Sequence, residues 1–433
     1  MQISIRLLII VLAACPALAT IRIPLVEQLV SAAAAMILIC AATREQADIS
    51  GAARFISPLA LSLAFPALWM IFQITPLPFA GLVNPIWRMT TVALGEPVAG
   101  RISISPDDTL RSLMVYLAML SLLISTVIVT RDRHRAETLF YALSTVTTFM
   151  SAMVLISRFG GVPGLIPSTD GAVSAFAAAA ALSVLMNAAT IIMMIGRNWG
   201  SGVAQGVSTP LLVQFALVLV GLGISIAALA NLASIGLTAA VALGFVSLIL
   251  VAASRHLEVG WWPALILFAI VAAIGAAIAI TRLQGMASWT IVDLAPAANA
   301  AQRSMAQRMM ADAPQLGNGV GTFQSLEPVY RDFEATPVLE LPSAAITMAT
   351  EWGKPALAFI VLMVAYVFIV MFRAAVRRGR DSRYASTAAA GVIVLLCEAF
   401  LDNGLMNAAV QILATITIGI GIAQSMGRTS AGN

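Results

Sequence analysis

The stretch IGLTAAVALGFVSLILVAA, from Ile235 to Ala253, contains no charged residue and little that is polar. About 18 or more mostly apolar residues in helical form cross the ~30 Å hydrocarbon core of a bilayer. Working outward from it, comparable runs lie near Leu7 to Thr20, Pro24 to Ala42, Pro58 to Thr75, Leu110 to Val129, Thr138 to Ile156 and Val173 to Ile195. Others follow near Pro210 to Leu229, Trp262 to Thr281, Pro355 to Phe372, Ala385 to Leu401 and Leu405 to Gln424, about twelve in all. Hydrophobic residues make up 60% of the 433, charged residues 10%, and the mean hydropathy is +0.95. A soluble domain is nearer a quarter charged, so a water-soluble enzyme is excluded. The expected fold is an all-α polytopic membrane protein with about twelve transmembrane helices.

The first run has Arg6 ahead of it and LAAC and PALA within it, features shared with secretory and lipoprotein signals. Because many spans follow, it is expected to remain as the first helix. The one long polar interval, Arg282 to Gly353, divides the chain into helices 1–9 (residues 1–281), a large loop (282–353) and helices 10–12 with a tail (354–433). Basic clusters at Arg131, Arg133 and Arg135 and at Arg373, Arg377, Arg378, Arg380 and Arg383 fall on one side by span parity. Arg6, Arg44, Arg54, Arg197, Arg255 and Arg428 fall there too. The positive-inside rule makes that side, and both termini, cytoplasmic. The large loop then faces the other side, with the Pro76 to Thr109 and Arg158 to Asp170 loops.

The formal charge of +4 is accounted for by these loop arginines, and no nucleic-acid partner is expected. Cys15, Cys40 and Cys397 all sit in apolar runs, so neither a disulfide nor a zinc site is expected. His134 and His256 read as solvated loop residues, and no metal or cofactor is expected. The Ala-rich run Ala175 to Ala181 reads as close helix packing in lipid.

Within the large loop, Ala298, Ala301, Met305 and Met309 recur at helical spacing, with Arg303 and Asp312 off that stripe. Pro296 to Ala313 is therefore expected as an amphipathic surface helix along the membrane, or as a helix packed over the bundle, ended by Pro314. The run GNGVGTF (Gly317 to Phe323) reads either as a plain turn or as a turn bringing backbone N–H groups to an anion; no strand-then-helix context supports a nucleotide loop.

Taken in order, Arg303, P-x-L-G-x-G-x-G-x-F (Pro314 to Phe323), P-x-Y (Pro328 to Tyr330) and E-W-G (Glu351 to Gly353) before an apolar helix resemble the large periplasmic loop of the bacterial O-antigen ligase and polymerase superfamily. QITPLP (Gln73 to Pro78) with Asn84-Pro85 is similar to that family's third-helix exit, ISISPDDT (Ile102 to Thr109) to its entry to the fourth helix, and FLDNGL (Phe400 to Leu405) to its turn between the last two helices. The resemblance covers most of the chain and rests on the order of the motifs.

It implies a glycosyltransferase of the inner membrane with its site on the periplasmic face. Such enzymes move a glycan from an undecaprenyl-pyrophosphate carrier to lipid A core or to another repeat unit, without nucleotide sugar or metal. Membrane lipid and other polysaccharide assembly proteins are the further partners implied. Fixed cations must neutralise the departing pyrophosphate, a task suited to arginine, and a base must take the acceptor hydroxyl's proton.

The chain departs from the family at three places. Pro342 and Ser343 stand where a His-Asn pair is usual, STDGAVSAF (Ser168 to Phe176) replaces an Arg-Asn-His-like motif, and ASIG (Ala233 to Gly236) replaces Ser-Arg-Gly. On the loop side, Arg158, Arg303, Arg308 and Arg331 are the candidate pyrophosphate ligands; for each alone the competing reading is an arginine snorkelling to headgroups. Glu340, two residues before the missing histidine, is the candidate base, and Asp170 is similarly placed. Glu27, Glu398 and Asp402 lie in or beside apolar spans, and Asp402 reads as a turn or cap. Two other classes compete with transfer: a catalytically impaired relative that binds lipid-linked glycan or scaffolds an assembly complex, and a transporter. Against the transporter, no paired broken helices with midplane polar groups recur in two halves.

Overall fold

In the computed structural model, each of the twelve apolar runs is helical. The structure describes residues 2–21, 24–43, 57–79, 81–160, 164–167, 169–199, 209–232, 234–257, 260–283, 290–295, 299–332, 340–377 and 382–425. The helices are α1 (Gln2–Thr20), α2 (Pro24–Ala42), α3 (Ala60–Ile74), a short α4 (Ile86–Leu94), α5 (Pro106–Val129), α6 (Arg133–Phe159), α7 (Asp170–Trp199) and α8 (Thr209–Leu232). They continue with α9 (Ile235–His256), α10 (Trp261–Leu283), the loop helices α11 (Ala300–Asp312), α12 (Phe323–Tyr330) and α13 (Ala344–Glu351), then α14 (Lys354–Arg377), α15 (Ser382–Leu401) and α16 (Ala408–Ser425). Nine of these are long and apolar enough to cross a membrane among the described residues; α2, α3 and α10 contribute shorter apolar stretches, Gln28–Ala41, Ala60–Ile74 and Trp261–Ala277. The protein is a polytopic helical membrane protein.

Local chemistry sets several starts. Pro106 opens α5 with Asp107 and Asp108 in the first turn, where a fixed φ and negative charge both suit a helix N-terminus. The Asp132 carboxylate caps α6 by accepting the His134 N–H at 3.1 Å, and Ser234 caps α9 through the Leu237 N–H at 3.2 Å.

The core is formed by α7, α15 and α16. The Ala175–Ala181 run is buried throughout, as expected of small residues at a helix crossing. On α16, a Cβ at Gly421 would collide with the Ala388 methyl of α15, so the α16 backbone packs directly onto that methyl. Peripheral α8 instead turns Leu212, Leu217 and Val220 outward, each more than half exposed to what would be lipid. Helix α1 is seated inside the bundle: Leu8, Leu12 and Cys15 are buried, and the Ala19 carbonyl accepts the Asn407 side-chain N–H at 3.2 Å.

The start of α15 and the start of α6 lie together at one end of the bundle, where Arg383 of α15 pairs with Glu137 of α6 at 3.3 Å. The opposite end carries α4, α11, α12 and α13. Of the expected surface helix, residues 300–312 are helical, while Ala298 lies outside the described residues. The Met305 and Met309 stripe, with Ala306, is buried in a cluster with Val292, Leu341 and Ile346. It packs against the protein, so the packed form of that expectation is seen, which is compatible with a place along the membrane surface. Protein contacts win because α13 offers the apolar surface that an interfacial helix would otherwise seek in the bilayer.

Candidate functional site

The glycine-rich run Pro314 to Phe323 passes across the loop-side end of the bundle and touches backbone on both sides. Gly317 has φ 78° and Gly353 φ 89°, and a Cβ on the first would collide with the Glu351 carbonyl, on the second with that of Gln315. The run before α12 and the end of α13 therefore lie backbone to backbone, which only glycine permits.

Its hydrogen bonds come from residues far away in sequence. The Gly319 N–H donates to the Glu351 carbonyl and the Asn318 N–H to the Thr350 carbonyl, both at 3.0 Å. Gln73, fully buried at the end of α3, donates through Nε2 to the Leu316 and Glu351 carbonyls, both at 3.0 Å. Its Oε1 accepts the Val320 N–H at 3.2 Å. Asn84 donates to Asn318 Oδ1 at 3.2 Å, and the Asn318 carbonyl accepts the Ile104 N–H at 2.9 Å. Trp69 Nε1 reaches the Trp352 carbonyl and Trp87 Nε1 the Ser103 carbonyl, both at 3.1 Å. Four stretches spread over the chain thus interlock: 73–84, 101–109, 314–323 and 350–353.

At the centre is the Glu351 side chain, 6% exposed, with Oε1 accepting the Phe323 N–H at 3.0 Å. The Gly321 N–H also donates to it. The two donors sit at the start of α12, where a helix presents unsatisfied N–H groups and partial positive charge. Burial pushes the Glu351 carboxyl up to about 7; the two N–H groups oppose that and the Asp108 carboxylate adds to it. Asp108 itself accepts the Ser325 hydroxyl at 3.0 Å. The glycine run does bring N–H groups to an anion, and the anion is the protein's own. The remaining N–H groups of the run go to Pro314, Thr350, Glu351, Gln73 and Gly319 oxygens.

The candidate cations divide. Arg308 Nη2 donates to Asp332 Oδ1 at 2.9 Å and to the Tyr330 carbonyl at 2.6 Å, and Arg331 pairs with Glu327 at 3.5 Å. These two are neighbours, brought together where α11 meets the end of α12. Arg303, on α11, is half-buried, and its Nε is enclosed with no acceptor among the described residues. Arg158 is exposed at the end of α6. Glu340 is half-buried; Leu341 beside it joins the cluster holding Met305 and Met309, so Glu340 and α11 share one neighbourhood. Ser168, in the stretch replacing the Arg-Asn-His-like motif, and residues 333–339 lie outside the described residues.

No protein-family model matches the chain, and no curated protein matches it.

Sequence reasoning missed several residues of this region. Gln73 and Glu351 were visible only as letters of motifs; the partners of the Gln73 side chain lie more than two hundred residues away, and the Phe323 N–H on the Glu351 side chain lies 28 residues away. Arg101 precedes ISISPDDT directly: its carbonyl accepts the Asn84 N–H at 2.9 Å, and its Nε, like that of Arg303, is enclosed without an acceptor among the described residues. Asp402 behaves as a turn residue, accepting the Gly404 N–H at 2.8 Å. Its backbone carbonyl accepts the Ala344 N–H at 2.9 Å, which joins the α15–α16 turn to the first residue of α13. Burial raises the Asp402 carboxyl to about 6 against that Gly404 hydrogen bond.

Proposed function

We propose that the chain is a twelve-span bacterial inner-membrane protein that transfers or polymerises undecaprenyl-pyrophosphate-linked glycan at the periplasmic face, in the manner of the O-antigen ligase and polymerase superfamily. One observation carries the proposal: the stretches that bear the resemblance, separated by up to about 280 residues, pack into one cluster at the loop-side end of the bundle. In this assignment both termini are cytoplasmic and the cluster faces the periplasm.

A glycosyl carbon leaves pyrophosphate and bonds to an acceptor hydroxyl, whose proton must go to a base. Lipid pyrophosphate is already a competent leaving group, so the protein's task is charge neutralisation and positioning. Among the cations, Arg303 takes the leading role and Arg101 joins it, because each keeps an enclosed Nε–H without an acceptor. Arg308 and Arg331 bind a phosphate only by sharing or exchanging their carboxylate partners, and Arg158 meets the lipid pyrophosphate from the edge. Glu340, beside α11, accepts the hydroxyl proton.

A second reading is favoured by a specific observation. The N–H groups of the glycine run are filled by the protein's own oxygens, two of them by the Glu351 carboxylate, and two of the four candidate arginines are in ion pairs, the pattern of a protein that holds lipid-linked glycan or scaffolds an assembly complex without turnover. Purified protein in liposomes with its host's undecaprenyl-pyrophosphate glycan separates the two. Release of free undecaprenyl pyrophosphate with longer chains means a polymerase; release without lengthening, in the presence of acceptor, means a ligase. Folded, lipid-binding protein that releases none refutes transfer and leaves the scaffold.

A further inference from the structure

Glu398 lies in the last turn of α15, is 0% exposed, and neither carboxylate oxygen has a hydrogen-bond partner among the described residues. Among the described residues no N–H or O–H group donates to either of them. A Cβ added to Gly404 would fall 2.5 Å from Glu398 Oε1, 3.0 Å from the Ser174 carbonyl and 3.1 Å from Asp402 Oδ1, so these three oxygens close around one glycine. Asn403 Oδ1, in the same turn, is also enclosed without a donor. The Ala344 N–H from α13 is already spent on the Asp402 backbone. Among the described residues, no Arg, Lys or His pairs with either carboxylate. At this end of the surrounding elements the other titratable residues are Asp170 at the start of α7, Glu340 and Glu351 flanking and ending α13, and Cys397 beside Glu398; the cations of the same helices, Arg197 of α7 and Arg383 of α15, lie at their opposite ends.

Two ionised carboxylates side by side, out of water and without a counter-charge, are prohibitively costly; such a pair neutralises by taking up positive charge. A dehydrated metal cation asks for about six oxygens in a shell around open space. Here three oxygens, only two of them from side-chain carboxylates, face one point, and no group of three metal-ligating side chains occurs among the described residues. We infer that Glu398 and Asp402 form a binding site for a single proton, shared between the two carboxylates at the loop-side end of the bundle. The site belongs to the same end as the glycine cluster, since α13 runs from the Asp402 carbonyl at Ala344 to Glu351. It stands whether or not the protein transfers glycan, because it depends only on the buried pair.

Infrared difference spectroscopy on the full-length protein in liposomes tests it, through the carbonyl stretch of a protonated carboxylic acid. At about pH 8, well above the ordinary carboxylate range, wild-type protein shows this band and Glu398→Gln lacks it. Asp402→Asn removes the neighbouring negative charge, so the Glu398 band disappears at lower pH than in wild type; this arm survives if Glu398→Gln does not fold. A band absent from wild type in sodium- and potassium-free buffer overturns the site. A band that vanishes on adding either ion assigns the pocket to a monovalent cation and also overturns it. An unshifted band in Asp402→Asn refutes sharing.

Discussion

Replacing Glu351 by Gln isolates the one carboxylate that fills the glycine nest. In the folded protein its carboxyl is raised from 4.5 to about 7, chiefly by burial, so between those values the folded state holds a proton that the unfolded chain has released. Stability rises with pH only where the unfolded state binds more protons; here the folded state binds more, so stability falls as pH climbs from about 4.5 to 7. Each tenfold change in proton affinity is worth about 1.4 kcal/mol, which makes the whole effect about 3 kcal/mol. Glu351→Gln resembles the protonated form and keeps an acceptor oxygen for the Phe323 N–H, so it removes this slope without emptying the nest. Hydrogen exchange at the amides of Gly321 and Phe323 is the assay, because Asp402 also titrates with the same sign and contributes to any global melting curve. Wild-type protection at these amides should weaken markedly from pH 5 to pH 7.5, while the variant's, after correction for intrinsic exchange, stays level. Equal pH dependence in both proteins would falsify the placement of this carboxylate against the start of α12.

Gln73→Ala deletes three buried hydrogen bonds to Leu316, Glu351 and Val320; at about 1 kcal/mol net each, the cap should lose about 3 kcal/mol and be cut earlier by protease within residues 314–323. Gly421→Val forces a side chain into Ala388 at the α15–α16 crossing, where overpacking costs about 1–3 kcal/mol, and should lower the detergent melting temperature while a valine at the lipid-exposed Leu217 does not. If transfer holds, Arg303→Ala abolishes pyrophosphate release with normal membrane accumulation, and Arg158→Ala reduces it far less; equal loss from both would show that burial of the cation does not matter. Arg308→Ala frees Asp332 and the Tyr330 carbonyl, so it should loosen the end of α12, read as faster exchange at Arg331.

The helices were legible because their determinants are local. A run such as Ile235–Ala253 has no stable place except in an apolar environment as helix, and Pro106, Asp132 and Ser234 announce their starts within three residues. Pro314 likewise marks the end of α11, which stops at Asp312. The candidate site was legible only as scattered motifs. What the glycines of 317–323 accomplish depends on Gln73, Thr350 and Glu351, and no local pattern says which distant carbonyl or carboxylate will face a given N–H. The same limit applies to charge. Arg303 and Arg308 differ by five positions on one helix, yet one meets Asp332 and the other leaves an enclosed Nε–H unused. Glu398 was visible as a carboxylate in an apolar run; that it is wholly enclosed beside Asp402 and Gly404 was settled by how α7, α13 and α15 meet. Apolar length and capping are properties of consecutive residues, whereas hydrogen-bond partners and burial are fixed only when separate segments pack.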